Sequence, residues 1–161
     1  MINNNDIIRR VRYIFDFSDE QMIGIFAKAD FNVTRSQISQ WLKKDDDPEI
    51  RAIEDQYLAT FLNGLIIEKR GLIEGATVPI PEKRLTNNIV LRKLKIALNY
   101  RDDDMLATYH LAGVKMSKHE LSAFFRKPTQ KQFRQCKDQY LRNFLKGLQI
   151  KMRHTNEKQE S

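Results

Sequence analysis

The chain has 161 residues, of which 41% are hydrophobic and 30% are charged, and its formal net charge is +7. It is long enough to bury one or two compact cores, and no apolar run approaches the length of a membrane span. Because the N-terminus lacks the charged-then-apolar pattern of a signal peptide, we expect a cytoplasmic protein without membrane contact.

The first predicted helix follows the capping candidates Asn4 and Asn5 and ends near Phe15. Apolar residues recur within it at helical spacing and would form one buried stripe, consisting of Ile7, Ile8, Val11, Ile14 and Phe15. The three arginines of this segment fall outside the stripe. The pattern therefore predicts an amphipathic helix with one face in a core.

The same pattern returns later in the chain. Residues 5–70 align with residues 88–153 at a constant offset of 83 without a gap, so the copy of the first helix begins at Asn88. The chain is therefore predicted to be a tandem duplication. Because a repeat of about 66 residues would be marginally stable alone, we expect the two repeats to pack together.

Capping-box spacings predict the next two helices of each repeat. Ser18 with Gln21 begins a second helix, and its copy follows the acidic run 102–104, which suits the positive end of a helix dipole. The pairs that begin the third helix agree between the repeats: Thr34 with Gln37, and Ser117 with Glu120. Trp41 and Phe124 stand near the end of this helix and are interpreted as core anchors.

The second and third helices of the first repeat, with the turn between them, look like a helix-turn-helix motif. In DNA-binding versions the N-terminal residues of the second helix read base edges in the major groove. The outward residues here would be Thr34, Arg35, Ser36, Gln37 and Gln40. Arg and Gln can make bidentate contacts with guanine and adenine. Lys28 and Asn32 depart from the motif, so ordinary helix packing is the alternative interpretation.

The last helix of each repeat contains a glycine, Gly64 or Gly147, at matching positions. A glycine inside a helix usually marks the close approach of another backbone, so we expect a helix crossing there and packing of the repeats through these helices. Two starts are open for this helix. It begins either at the capping-box pairs Asp46 with Glu49 and Thr129 with Gln132, or after a break before Asp55 or Asp138.

Together these elements predict an all-α fold of two tandem homologous repeats with about four helices each. The predicted boundaries are repeat 1 at 1–71, a Pro-containing linker at 72–86, repeat 2 at 87–153 and a disordered tail at 154–161.

No catalytic, metal-binding or cofactor-binding motif is recognisable in the sequence. The three histidines show no ligand spacing, and Cys136 aligns with Ile53, which indicates a buried small hydrophobe. Asp55 and Asp138 are interpreted as ion-pair partners or helix caps, with a functional acid as the alternative. We therefore expect neither an enzyme nor a cofactor.

Repeat 2 carries the whole excess of positive charge. Residues 5–70 contain 10 basic and 12 acidic residues, whereas residues 87–153 contain 15 basic and 5 acidic residues. Such a difference between two copies suits contact of the second copy with a polyanion, although drift of solvated side chains is the alternative. The candidate polyanion-binding residues are Lys115, Lys118, Arg126, Lys127, Lys131, Arg134, Lys137, Arg142 and Lys146.

The stretches 5–13, 61–71, 87–94 and 144–148 resemble the YehS-like family of small bacterial proteins, a domain-of-unknown-function family with two tandem helical repeats. The likeness covers nearly the full chain. It implies the duplication and the all-α fold, and it implies no activity, cofactor or site residue.

The sequence thus favours a non-enzymatic binding module whose basic second repeat contacts nucleic acid. The alternative is a protein-interaction adaptor that uses the same basic surface, or the groove between the repeats, to hold an acidic or helical partner.

Overall fold

A computed structural model of the protein describes residues 2–160, with side chains as far as Arg153. Over the described residues the chain forms eight α-helices and no β-strand, which confirms the all-α prediction. The helices are α1 Asn4–Phe15, α2 Asp19–Lys28, α3 Arg35–Trp41, α4 Asp55–Arg70, α5 Asn87–Leu98, α6 Asp102–Leu111, α7 Lys118–Ala123 and α8 Asp138–Glu160.

The chain divides into two compact units between Leu85 and Thr86. In the first unit α2 packs against α3 and α4, and α1 packs against α4. In the second unit α6 packs against α7 and α8, and α5 packs against α8. The two repeats therefore share one helix order, as the constant sequence offset predicts. No described helix is both long and apolar enough to cross a lipid bilayer.

Capping side chains begin the second and third helices where the sequence predicts them. Ser18 and Gln21 form a reciprocal capping box at the start of α2, and Thr34 and Gln37 do the same at the start of α3. In the second repeat the Ser117 hydroxyl accepts a hydrogen bond from the backbone amide at the third position of α7. These bonds satisfy backbone amides that have no partner within the helix.

The first helix of each repeat begins one residue earlier than predicted. Asn3 is the N-cap of α1, because its side chain accepts from the Asp6 amide while the Asp6 carboxylate accepts from the Asn3 amide. Thr86 caps α5 in the same place. The predicted caps Asn4 and Asn5 lie inside α1, where their side chains reach a distant loop.

Of the two starts left open for the last helix, the earlier one, at Asp46 or Thr129, is wrong. Residues 42–54 and 125–137 contain turns and extended chain, and the last helices α4 and α8 begin only at Asp55 and Asp138. One cause is a backbone hydrogen bond from Arg51 to Gln40, repeated from Arg134 to Ala123, which draws the chain back to the preceding helix. The break before the last helix is therefore the correct alternative.

Aromatic rings join the helices of each core. Trp41 is 6% exposed and its ring centroid lies 5.7 Å from Phe26, and Phe26 lies 5.3 Å from Phe61 on α4. Phe124 is 3% exposed and lies 5.3 Å from Tyr140. Both predicted core anchors are confirmed.

Gly64 and Gly147 permit the closest helix crossing in each repeat. A Cβ added to Gly64 would lie 2.0 Å from the backbone oxygen of Ile25, and one added to Gly147 would lie 2.0 Å from that of Thr108. Real Cβ atoms do not approach so closely, so the crossing of α2 with α4, and of α6 with α8, requires glycine. Each contact lies within its own repeat, which corrects the expectation that these glycines join the two repeats.

A glycine ends the last helix of the first repeat, and a long helix ends the second. Gly71 ends α4 with a φ of 78°, as the predicted stop signal requires, and no helix follows until Asn87. Helix α8 continues to Glu160, beyond the start of the predicted disordered tail. Glu, Lys and Gln in this last segment are good helix formers, which favours continuation of the helix.

Substitution of the crossing glycines tests this account of the core. We expect Gly64→Ala or Gly147→Ala to lower the free energy of unfolding by about 3 kcal/mol, because the added methyl group would displace a backbone. Chemical denaturation measures the change.

Gly24 provides the matched control, since it lies in α2 at an exposed position where a Cβ would meet nothing within 4 Å. Gly24→Ala should stabilise the protein by about 1 kcal/mol through helix propensity. Equal stability of Gly64→Ala and the parent would contradict the assignment of the close contact.

Candidate polyanion-binding surface

A buried asparagine holds the loop before the last helix of each repeat. We call residues 42–54 the acidic loop and residues 125–137 the basic loop. The amide nitrogen of Asn88 donates to the carbonyls of Phe124, at 3.0 Å, and Arg134, at 2.8 Å, and its amide oxygen accepts from the Cys136 amide at 2.9 Å. Every hydrogen of this amide group is thus used, and the basic loop is fixed at both ends.

Asn5 does the same in the first repeat. It donates to the carbonyls of Trp41, at 2.9 Å, and Arg51, at 2.7 Å, and it accepts from the Ile53 amide at 3.0 Å. Asn5 and Asn88 are each 5% exposed. The two loops are therefore held to their repeats by equivalent hydrogen bonds, although few of their residues are identical.

The acids that begin the last helices take part in this arrangement. Asn4 donates to the Asp55 carboxylate at 2.6 Å, and Asn87 donates to the Asp138 carboxylate at 2.8 Å. Asp55 also accepts from the Leu85 amide at 2.8 Å. These contacts give both acids a structural role, different from the predicted pairing with the preceding arginines.

The two loops present opposite charges on this shared framework. The acidic loop contains three basic and five acidic residues, whereas the basic loop contains five basic residues and no acidic one. Four of the five basic residues have exposed side chains, and Arg126 is half-buried. The exposed four are Lys127, Lys131, Arg134 and Lys137.

Three of the five acids of the acidic loop form ion pairs. Arg9 on α1 lies 2.5 Å from Asp6 and 3.9 Å from Asp45, and Lys43 lies 3.9 Å from Asp47 and 3.8 Å from Glu49. In the basic loop none of the five cations forms an ion pair with a described residue. Their charges are open to an external anion.

The structure brings together only part of the predicted candidate set. Arg134 and Lys137 line a cleft of about 310 Å³ with Met116 and Glu120, and Lys115 lines an adjoining groove that shares those last two residues. Glu120 sits within this cluster and reduces its positive potential.

The other candidates have different surroundings. Lys118 lies 3.2 Å from Asp103 on α6 and is neutralised there. Arg142 and Lys146 lie on α8, where Arg142 is half-buried and Lys146 is exposed. The strongest concentration of positive charge is therefore the basic loop itself.

The helix-turn-helix candidates in the first repeat are partly committed to other contacts. Thr34 and Gln37 cap α3, and Arg35 pairs with Glu20 on α2. The backbone amide of Glu20 and the nearby Arg35 charge hold the pKa of that carboxyl below its usual value. Ser36 is exposed and Gln40 is half-buried, so DNA reading by this segment stays a prediction.

Sequence reasoning missed Arg92, which lines a cavity beside the basic loop together with Arg126. It donates to the Phe125 carbonyl at 3.0 Å. Its counterpart Arg9 has two carboxylate partners, and the residues aligned with those partners are Ile89 and Pro128. The signal in the sequence is that the arginine is kept in both repeats while the acids near it in the first repeat are absent from the second.

Buried ionisable groups in the second repeat serve the core. Burial raises the pKa of Cys136 to about 12, with a smaller contribution from the Asp138 charge. Burial also raises the pKa of the Tyr109 hydroxyl above its usual value. Among the described residues no group of three or more histidine, cysteine or acidic side chains could hold a metal ion.

These features define a small all-α protein of two repeated units, the second of which presents an unneutralised basic loop. The chain matches the family described as "Protein of unknown function (DUF1456)" twice, over residues 4–71 and 87–154. It is 44% identical over 145 residues to the "Uncharacterized protein YehS" of Escherichia coli (strain K12), which covers 90% of this chain and 93% of the relative. No solved structure matches the chain. The chain belongs to the DUF1456 family, as the resemblance of its repeats indicates.

The thiol of Cys136 should report on the fold of the second repeat. With a pKa of about 12, roughly one thiol in ten thousand is ionised at pH 8, so we expect very slow reaction with a disulfide reagent in the native protein. In denaturant the pKa returns to its ordinary value and the reaction should be rapid. Fast reaction of the native protein at pH 8 would contradict the burial of this thiol.

Removal of the Asn88 amide should release the basic loop. Asn88→Ala leaves three backbone groups without this partner, two of them in buried bonds. We therefore expect a loss of about 3 kcal/mol in stability and faster trypsin cleavage after Lys131 and Arg134. Asn5→Ala is the matched control and should expose residues 42–54 instead. An unchanged cleavage pattern in Asn88→Ala would show that the loop is held by other contacts.

Proposed function

We propose that the protein is a non-enzymatic binding module that contacts nucleic acid through the basic loop of its second repeat. The observation that carries this proposal is the contrast between two equivalently held loops. The acids of the first pair with Lys43 and with the neighbouring Arg9, whereas the second carries five cations without acidic partners among the described residues. A nucleic-acid backbone supplies the repeated negative charge that such a loop lacks.

The way the loop is held supports this use. Phosphate contacts position a nucleic acid most effectively when the cationic groups need little ordering upon binding. The Asn88 hydrogen bonds fix the backbone that carries Arg134 and Lys137, so little loop entropy is lost. The long side chains remain exposed and can adjust to the spacing of phosphates.

A specific observation also favours the adaptor alternative. The groove beside Lys115 is about 510 Å³ in volume and contains the apolar side chains Leu106, Val114 and Met116. A helical partner with acidic and apolar residues would fit such a surface. Its binding would depend less on salt than contact with phosphates does, because part of the affinity would come from apolar burial.

The salt dependence of binding separates the two functions. Fluorescence anisotropy with labelled random DNA and RNA, single-stranded and duplex, should give affinities that fall linearly with the logarithm of salt concentration. Absence of binding at low salt would overturn the nucleic-acid proposal and leave the adaptor.

Replacing three exposed cations of the loop tests the proposed surface. We expect Lys131→Gln, Arg134→Gln and Lys137→Gln together to flatten the salt slope by about one unit for each lost phosphate contact. Helicity and melting temperature should change little, because all three side chains are exposed and none forms a described ion pair.

The charge-matched control changes three exposed cations outside the loop: Arg70→Gln, Lys83→Gln and Arg84→Gln. It loses the same net charge and should bind nearly as tightly as the parent. Equal affinities of the two triple variants would show that net charge, and no particular surface, governs binding.

A further inference from the structure

A cavity of about 380 Å³ lies between the first helix of the second repeat and the basic loop. Its apolar side consists of Ile89, Phe124, Pro128 and Phe133, and its charged side consists of Arg92 and Arg126. Most of its exposed surface is apolar, and its volume is within the range of small-ligand pockets. Two guanidinium groups beside an apolar wall suit a ligand with both an anionic and a flat apolar part.

In the first repeat, the arginine equivalent to Arg92 is paired with two acids. Arg9, the counterpart of Arg92, contacts the carboxylates of Asp6 and Asp45. The residues aligned with these two acids are Ile89 and Pro128, which now form part of the cavity wall. An internal anion in one repeat thus corresponds to an apolar surface beside two arginines in the other.

Arg126 provides a second, independent observation. Its Nε atom is buried and has no hydrogen-bond partner among the described residues. Its counterpart Lys43 lies near Asp47 and Glu49, which align with Gln130 and Gln132. A buried donor of a charged group without an acceptor is unfavourable. A small shift of the Arg126 side chain that lets a phosphate oxygen accept from Nε would therefore be favoured.

We infer that this cavity binds one nucleotide unit of a single-stranded nucleic acid, with the phosphate at Arg92 and Arg126 and the base against Phe133. This inference rests on the proposed function and specifies its substrate class. A base is accessible in this way only when it is unpaired, and stacking on aromatic side chains is the usual means of holding it. The exposed Gln135 at the rim can contact the edge of the base.

The neighbouring cleft favours a single strand of nucleic acid, rather than a compact acidic peptide, as the ligand. It shares Phe124 and Gln135 with this cavity and adds Arg134, Lys137 and Tyr140. Two adjoining clefts, each with an aromatic side chain and basic residues, match the alternation of bases and phosphates along an extended single strand. The cations of the basic loop lie along the same segment and continue the phosphate contacts.

The first test introduces into the second repeat the two acids that pair with Arg9 in the first. Ile89→Asp with Pro128→Asp copies residues that the first repeat already accommodates, and an acid at position 89 can complete a capping box with Thr86. We expect this double variant to bind a labelled oligothymidylate at least about tenfold more weakly than its control. Circular dichroism and melting should confirm that it remains folded.

The control carries the same two added charges elsewhere in the second repeat, as Gln139→Glu with Gln149→Glu at exposed positions of α8. If the two double variants bind the strand equally, the cavity is not used and the inference is overturned. The proposed function would still stand if the triple variant of the basic loop loses affinity.

Phe133→Ile separates stacking from charge. Ile50 fills the equivalent position of the first repeat, so the fold should tolerate the change. We expect weaker strand binding by about fivefold with an unchanged salt slope, because a stacking contact is lost while every phosphate contact remains. Loss of the preference for single strands over duplex should accompany it. Equal affinity of Phe133→Ile and the parent would overturn the stacking role.

Small ligands distinguish a strand from a free nucleotide. Adenosine monophosphate and inorganic phosphate are titrated into the 15N-labelled protein while the arginine Nε resonances are followed. If the protein binds no oligonucleotide but adenosine monophosphate shifts the Arg92 and Arg126 resonances, the proposed function fails and the cavity is a mononucleotide site. If neither ligand shifts them and the strand does not bind, both proposals fail.

Competition with polyglutamate tests the acidic-peptide alternative. Displacement of the strand by polyglutamate as effectively as by unlabelled strand would overturn the inference in favour of an acidic peptide.

Discussion

The buried asparagine at the start of each repeat is the interaction on which the candidate surface depends. Asn5 and Asn88 each use one side-chain amide to satisfy two backbone groups of a loop without regular secondary structure and one carbonyl at the end of the helix before it. Because the bonds join the side chain to backbone atoms, they do not depend on which residues the loop carries. Loss of the amide would leave buried donors and acceptors unpaired, which costs far more than a surface contact. The loop sequence can therefore change widely while its attachment stays the same.

Duplication of this arrangement gives the molecule an internal comparison. The first repeat neutralises Arg9 and Lys43 with its own carboxylates, and such half-exposed pairs add little to stability. The second repeat replaces the aligned acids by apolar or neutral residues and keeps the cations. Absence of these ion pairs thus has a small energetic cost in the fold, whereas absence of the acids has a large effect on surface potential. This asymmetry explains why charge differs between the repeats far more than packing does.

Sequence reasoning could predict the parts of the structure that depend on local signals. The helix order, the caps at Ser18, Thr34 and Ser117, and the core positions of Trp41 and Phe124 follow from short-range patterns. The start of the last helix could not be predicted, since Asn5 and Asn88 act over more than forty residues. The glycine contacts were recognised as close approaches, but a glycine alone does not identify its partner helix. Arg92 was missed because its importance lies in two acids that are absent at the aligned positions.

A physical difference between the two candidate nucleic-acid surfaces favours the basic loop over the helix-turn-helix segment. Helix α3 has seven residues. Its Gln37 takes part in the capping box, and its Arg35 pairs with Glu20 in the acidic first turn of α2. A phosphate approaching that face would have to displace Glu20 from Arg35. In the second repeat, by contrast, the buried Nε of Arg126 has no described partner, and such an unsatisfied donor costs about 1–3 kcal/mol. If the side chain shifts so that a phosphate accepts from this nitrogen, as the proposal requires, that free energy would be recovered on binding and would favour an anionic ligand at the second repeat.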